Sequence, residues 1–209
     1  MATRSASSNG AKDQIVAMLK ADHQKVRKAF KTFEKLDPHE DPEECKALVD
    51  QTLAEVEVHA EIEEQLFYPA ARGAIKKEDL IDEAEVEHMT AKVLIGQLKG
   101  MGPDDEKYAA TFKVLGEYLD HHIQEEEGEI FKQLTQAGAE WDSVLQEMQA
   151  QREQLMQERG MPADDDEEAG TSTRTGRGTA ARGTGAPAGA ESRPQAASKA
   201  TKGSSSEKS

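Results

Sequence analysis

The chain has 209 residues, only 4% of them aromatic and 32% charged, and glycine, serine, threonine and proline crowd its last fifty positions. A buried core must therefore come from about the first 160 residues, which predicts one domain followed by a tail. Met161 to Ser209 balances seven acidic against seven basic residues, so the net charge of −15 falls on the folded part, which repels phosphate backbones and anionic lipid and attracts cations.

Residues 1–10, MATRSASSNG, have no apolar segment behind Arg4 and are expected to be a flexible N-terminus. From about 11 to 36, Ile15, Leu19, His23, Val26, Phe30 and Phe33 recur at three- and four-residue spacing, the mark of a helix with one buried stripe. Asp37-Pro38 ends it. A second helix is predicted after Asp41-Pro42, with Cys45, Val49, Thr52, Val56, His59, Glu63 and Leu66 in its stripe and Arg72-Gly73 at its close. The third runs from about Glu78 to Lys99 with Ile81, Ala84, His88, Ala91, Ile95 and Leu98, and Gly100-Met101-Gly102-Pro103 stops it.

The fourth helix is predicted to open at Asp104-Asp105-Glu106, to carry Tyr108, Phe112, Leu115, Leu119, His122, Glu126 and Ile130, and to end near Gly138. At about 1.5 Å rise per residue, His59, Glu63 and His88 reach one level, whereas His122 joins them only if the fourth helix starts later or projects beyond the third. Short connections make neighbours antiparallel, which predicts an all-α, up-down-up-down four-helix bundle over 11–138. Residues 139–159 add an amphipathic helix (Trp141, Leu145, Met148, Leu155) read as a flap on the bundle end. Beyond Gly160-Met161-Pro162, residues 160–209 read as a disordered low-complexity tail whose arginines and lysines allow weak partner binding.

Polar side chains in an apolar seam cost several kcal/mol unless paired. One buried histidine is usually a satisfied core residue, but His23, His59, His88 and His122 fall in phase, one per helix. His59-Ala-Glu-Ile-Glu63 and His122-Ile-Gln-Glu-Glu126 repeat a pattern, each placing a carboxylate just over one turn after a histidine, on the same face. Leu66-Phe67-Tyr68 and Ile130-Phe131 follow the two pairs as apolar walls, so the segments look like one design used twice. Cys45 is the single cysteine, which excludes a disulfide or thiolate cluster within one chain. Imidazole and carboxylate donors without thiolate suit iron or manganese better than zinc or copper. Two six-coordinate metals need about twelve donor positions, of which four imidazoles and two bridging carboxylates supply eight, leaving the rest for solvent or exogenous ligand.

Taken together, His23, His59-x-x-x-Glu63 with Phe67-Tyr68-Pro69, Glu87-His88, and His122-x-x-x-Glu126 before Ile130-Phe131 resemble the hemerythrin-like HHE cation-binding domain over about 11 to 138. The resemblance implies two iron ions, oxo- or hydroxo-bridged, with manganese as the alternative, held by His23, His59, Glu63, His88, His122 and Glu126. It also implies a role in binding or responding to oxygen, peroxide or nitric oxide, or in iron homeostasis. Two departures from the oxygen carriers stand out. The carriers have a second histidine one turn from the third-helix one, where Ala84 and Lys92 stand here, and Glu85 is the candidate substitute. They also close the fourth-helix motif with aspartate one residue further on, where this chain uses Glu126.

His121-x-x-x-Glu125 is an equally spaced alternative, but it lies one residue off the seam and is assigned to the flank or to the surroundings of the ligands. His39 is expected to be solvated, and Glu61, Glu64, Glu125 and Glu127 to form wet faces, with Glu61 or Glu125 able to polarise a ligand. No nucleophile triad, phosphate loop or cofactor motif appears, so catalysis would be redox chemistry at the metals, such as peroxide disproportionation. A metal-free scaffold with a recruiting tail is the third reading. No apolar run approaches the roughly 20 residues of a membrane span, so no membrane or bundle-bound nucleic acid is expected, and the predicted location is the cytoplasm.

Overall fold

The computed structural model describes residues 4–134 and 139–162, and among these residues the chain is helical with no strand. Helix α1 spans Arg4–Phe33, α2 Pro42–Ile62, α3 Tyr68–Arg72, α4 Asp79–Lys99, α5 Tyr108–Glu125, α6 Phe131–Gln133 and α7 Trp141–Glu158. Two π turns, Glu63–Phe67 and Glu126–Ile130, join α2 to α3 and α5 to α6 into continuous rods. The tail read over 160–209 lies, from residue 163 on, outside the described residues, as does Gly138.

Helix α1 begins at Arg4, ahead of the expected 11, and stops at Phe33, short of the expected 36. The Lys35 and Leu36 amides fold back in tight turns onto the Thr32 and Phe33 carbonyls, which uses up the last helical turn before Pro38. Helix α2 starts where expected, with Pro42 in its first turn and Glu43 and Glu44 against the positive end of its dipole. Helix α5 starts at Tyr108 rather than at Asp104, which reduces the axial mismatch by about 6 Å. Asp105 belongs to a separate turn, where its carboxylate accepts from the Gly102 amide at 2.7 Å. Gly160, at φ 66°, closes α7 in the left-handed conformation that lacks a steric penalty only for glycine, and the Met161 amide returns to the Met156 carbonyl at 2.9 Å.

Burial divides the apolar side chains into two cores. One holds Ile15, Leu19, Ile62, Ile81, Ile130 and Trp141 among others, and the second holds Val26, Val56, Ala91, Ile95, Phe112 and Leu119 among others. His23 follows Leu19 of the first core and precedes Val26 of the second, and His59, His88 and His122 likewise fall between a residue of one core and a residue of the other. The buried polar side chains thus form a layer between two apolar plugs. Helix α7 packs along α1, α2 and the first π turn, with Trp141, Leu145, Met148, Leu155 and Met156 buried, so it lies along the side of the first core.

The second core is tight at one helix crossing. A Cβ on Gly116 of α5 would come within 2.6 Å of the Phe30 ring of α1, which itself packs on Phe112 with centroids 4.5 Å apart. Overpacking of this kind costs about 1–3 kcal/mol. Gly116→Val is expected to lower the thermal midpoint by several degrees, which a thermal melt followed by circular dichroism checks.

Candidate metal centre

The four predicted histidines and two glutamates converge. His23, His88, His122, Glu63 and Glu126 are each no more than 3% exposed, and His59 is 8% exposed. His23 Nε2 lies 3.2 Å from Glu126 Oε2, and His59 Nε2 lies 3.0 Å from Glu63 Oε2. His88 Nε2 is 3.5 Å from the same Glu63 oxygen, and His122 Nε2 is 3.7 Å from that same Glu126 oxygen. Each carboxylate therefore stands between two histidines from different helices. Two donor groups result, His23, His59, Glu63 and Glu126 in one and Glu63, His88 and His122 in the other, with Glu63 common to both.

Both shared glutamates are the first residue of a π turn. A π turn adds a residue to the local coil and is frequent at functional sites. Histidine and glutamate four apart already share one face by helical spacing, and each π turn then leads into buried aromatics, Phe67 and Tyr68 on one rod and Phe131 on the other. The repeat is broken at one position. Nine residues after each histidine stand Tyr68 and Phe131. The Tyr68 hydroxyl donates to Glu126 Oε1 at 3.0 Å and lies 3.3 Å from His88 Nε2, whereas the Phe131 ring lies parallel to His23 with centroids 6.0 Å apart. Burial first, and then the Glu126 and Glu63 charges, push the Tyr68 pKa well above 10, which keeps the proton on its oxygen.

Every histidine has its other nitrogen anchored by a carboxylate from a neighbouring helix. Asp22 of α1 holds His59 Nδ1 at 3.2 Å, Glu64 of the first π turn holds His88 Nδ1 at 3.0 Å, Glu87 of α4 holds His122 Nδ1 at 2.7 Å, and Glu127 of the second π turn holds His23 Nδ1 at 3.0 Å. The four bonds close a ring that runs α1 to α2, α2 to α4, α4 to α5 and α5 back to α1. Such partners fix the imidazole tautomer, with hydrogen on Nδ1 and the lone pair on Nε2.

That tautomer decides whether the site fits a metal. With both Nδ1 atoms turned to their carboxylates, His88 and His122 face each other through Nε2 at 3.1 Å, a contact that holds together only with a proton or a metal cation between the two nitrogens. Two nitrogens bound about 2.1 Å from one metal at neighbouring positions lie about 3.0 Å apart. His23 Nε2, His59 Nε2, both oxygens of Glu63 and Glu126 Oε2 are buried without a hydrogen-bond partner. Buried polar atoms left in this way are costly, and all five point at the same place. The donors present fit a pair of metal ions.

Without metal, the cluster relies on protons. Burial opposes a charge on His59, but the Glu63 and Asp22 carboxylates outweigh it and raise its pKa well above 6.5. His122 is raised for the same reasons, by Glu126 and Glu87 against burial. Burial likewise opposes charge on Glu126, yet His122 and His23 hold it down to about 2. Glu64 is held at about 2, chiefly by His88 and also by Lys92.

Several expectations need correction. Glu85 is not a fifth-histidine substitute, since it pairs with Arg72 at 3.0 Å and its side chain is 43% exposed. Glu64 and Glu127 are not wet faces, because they anchor His88 and His23. Glu61 pairs with Arg159 at 3.0 Å and Glu125 with His121 at 3.4 Å, so neither reaches a ligand. His121, with its side chain 62% exposed, lies with Glu87 and Glu125 in a separate group outside the two buried ones, and His39 is exposed. The anchoring roles of Asp22 and Glu87 were not anticipated. The signal was present, however, for each anchor sits directly beside a ligand in sequence: Asp22-His23, Glu63-Glu64, Glu87-His88 and Glu126-Glu127.

A cavity of about 320 Å³ lies between α2 and α4 and touches His59, His88 and His122. Val56, Ile95 and Leu119 give it apolar walls, while Lys92 pairs with Glu64 at 2.6 Å and Arg159 with Glu61 near its polar residues. No described helix is long and apolar enough to cross a membrane.

Comparison with known proteins agrees with this centre. The model of the hemerythrin HHE cation-binding domain matches residues 14–134. A DNA nickase from a Nostoc species is 26% identical over 117 residues, which span 56% of this chain but only 32% of that protein's length. The crystal structure of a hemerythrin HHE cation-binding domain-containing protein from Mycobacterium kansasii superposes with a TM-score of 0.56 at 24% identity, covering 75% of this chain and 91% of that one.

Proposed function

This chain belongs to the hemerythrin HHE cation-binding family, and from that premise we propose that it holds two iron ions and binds oxygen or a related small molecule, such as peroxide or nitric oxide, beside them. Its His and Glu groups are those of a cation-binding domain. In this reading His23, His59 and Glu126 would hold one ion and His88 and His122 the other, with Glu63 available to both. The observation that carries the reading is the set of four anchored histidines whose free Nε2 atoms, together with Glu63 and Glu126, face one buried point. Iron rather than zinc is supported by the sulfur-free imidazole and carboxylate donor set. The order in which the helices visit the two cores supports an up-down-up-down bundle: α1 and α4 pass from the first core to the second, and α2 and α5 return.

The bound ions would supply electrons and open coordination positions for the small molecule. The protein's part is physical. The ring of anchors holds each Nε2 in place, the apolar plugs exclude bulk water from both sides, and the cavity between α2 and α4 gives a small neutral molecule a path to the His88 and His122 side. A peroxide-consuming activity is the second reading, and Tyr68 favours it. Its hydroxyl, kept protonated and 3.0 Å from Glu126, can donate a hydrogen bond that stabilises charge developing on a small molecule beside it.

Protein loaded with ferrous iron separates these readings. A visible absorption change on adding oxygen, with no sustained loss of peroxide, supports binding or sensing. Steady-state peroxide consumption that falls at least about tenfold in Tyr68→Phe supports turnover. Absence of stoichiometric iron contradicts both.

A further inference from the structure

The ring of anchors has an outer brace. Arg27 of α1 donates to Glu127 at 3.3 Å, and Lys92 of α4 donates to Glu64 at 2.7 and 2.6 Å. Both of these cations come from the helices that carry the ligands, Arg27 half-buried with 31% of its side chain exposed and Lys92 exposed at 49%. The brace on Asp22 differs in origin and in depth. It is Arg152, which comes from the appended helix α7 and grips Asp22 with both ends of its guanidinium, Nη1 to Oδ2 at 2.6 Å and Nη2 to Oδ1 at 2.7 Å. The two side chains are 12% and 9% exposed, so water screens this pair far less than the others. Asp22 Oδ2 is also the oxygen that holds His59 Nδ1.

We propose that Arg152 is a positioning residue for the metal centre: by clamping Asp22 it fixes the His59 imidazole, so that α7 is a working part of the His23 and His59 half rather than a cover. This inference rests on the reading of the site as a metal pair. A two-point guanidinium grip sets the plane of a carboxylate. That plane sets the direction of the Asp22–His59 hydrogen bond and with it the direction of Nε2. Helix α7 reaches this position because Leu145, Met148, Leu155 and Met156 bury against the first core on the same side. Without the guanidinium, Asp22 keeps a charge that is buried and less well matched, and it is free to turn away from His59.

The test uses the full chain loaded with iron and challenged with a graded series of a competing chelator, alongside Arg152→Met, Arg152→Lys, Asp22→Asn and, as a control for helix packing, Leu155→Ala. Partners that orient a metal ligand in this way are worth roughly 10- to 100-fold in metal affinity. Arg152→Met is expected to release one of its two irons at least about tenfold more readily than the parent chain, with a shifted iron absorption spectrum, and Arg152→Lys to recover part of the loss. Adding Arg152→Met to Asp22→Asn is expected to cause little further loss, because the two act on one imidazole. Leu155→Ala is expected to lower the thermal midpoint and to leave chelator resistance unchanged. Equal iron retention by Arg152→Met and the parent overturns the proposal while leaving the metal pair intact. Loss in Leu155→Ala equal to that in Arg152→Met also overturns it, by showing that α7 acts through stability alone. A parent chain that takes up no iron removes the metal reading itself, and this inference with it.

Discussion

Glu63→Gln is expected to cost the protein both metals, whereas Glu126→Gln loses mainly the one at His23 and His59. Glutamine keeps the volume of the buried side chain, so the apolar packing survives, but it replaces an anionic ligand by a weak neutral one. Glu63 is 0% exposed and belongs to both donor groups, while Glu126 belongs to one and lies 3.7 Å from His122 of the other. The carboxylate also neutralises part of the charge that two divalent ions bring into a layer closed above and below by apolar cores. Its loss therefore acts on both ions at once. Iron analysis after gel filtration is expected to give well under one iron per chain for Glu63→Gln and an intermediate value for Glu126→Gln. Unchanged far-ultraviolet circular dichroism in both variants excludes unfolding as the cause. Full retention of two irons by Glu63→Gln contradicts a shared carboxylate.

The second large effect is a pH dependence that reverses with metal. In the metal-free chain His59 and His122 have pKa values raised above 6.5. A group raised on folding contributes stability that is fully present below its unfolded pKa and lost as pH rises through the folded one. As pH rises through these raised values the imidazoles shed their protons, and the charges of Glu63 and Glu126 stay buried without compensation. The stripped protein is therefore expected to lose several degrees of thermal midpoint between pH 6 and 9. At the other end, Glu64 and Glu126 are held at about 2, against 4.5 for an ordinary glutamate. Their contribution is present above about 4.5 and is lost as pH falls towards 2. Metal changes the alkaline side, because ligation requires neutral imidazoles and replaces the lost protons. A ligand present at a thousand times its dissociation constant adds about 4 kcal/mol. For a chain of this size each kcal/mol is about 2–4 °C, so loaded protein is expected to melt about 8–16 °C higher at pH 8, with a smaller gap near pH 6. A gap that stays constant with pH contradicts proton-for-metal exchange in this layer.

The inner donors were legible in the sequence because each interrupts an apolar stripe. His23 stands between Leu19 and Val26, and His122 between Leu119 and Ile130, so helical periodicity alone marks them as buried polar residues in need of partners. The anchors were not legible by the same route. Asp22, Glu64, Glu87 and Glu127 sit one residue off the stripe, where an acidic side chain normally faces water, and 41 acidic residues in the chain make such neighbours common. Their meaning depends on which helix stands opposite, which spacing along one helix does not contain. Glu85 illustrates the converse. Its spacing before His88 suited a ligand, but Arg72 captures it on the outside. Neither π turn was visible either, since nothing in Glu63–Phe67 or Glu126–Ile130 departs from ordinary helical composition. The repeat of histidine, glutamate and aromatic at matching intervals was the one trace they left. Arg152 escaped notice because the periodicity of α7 reports only its apolar face.

The most direct measurement of the central claim is X-ray absorption at the iron edge on the loaded full chain, normalised to iron per chain. The account predicts two irons per chain, nitrogen and oxygen neighbours without sulfur, and an iron–iron vector of about 3.5–4 Å. One iron per chain, or two with no iron neighbour at that distance, would contradict a pair that shares Glu63.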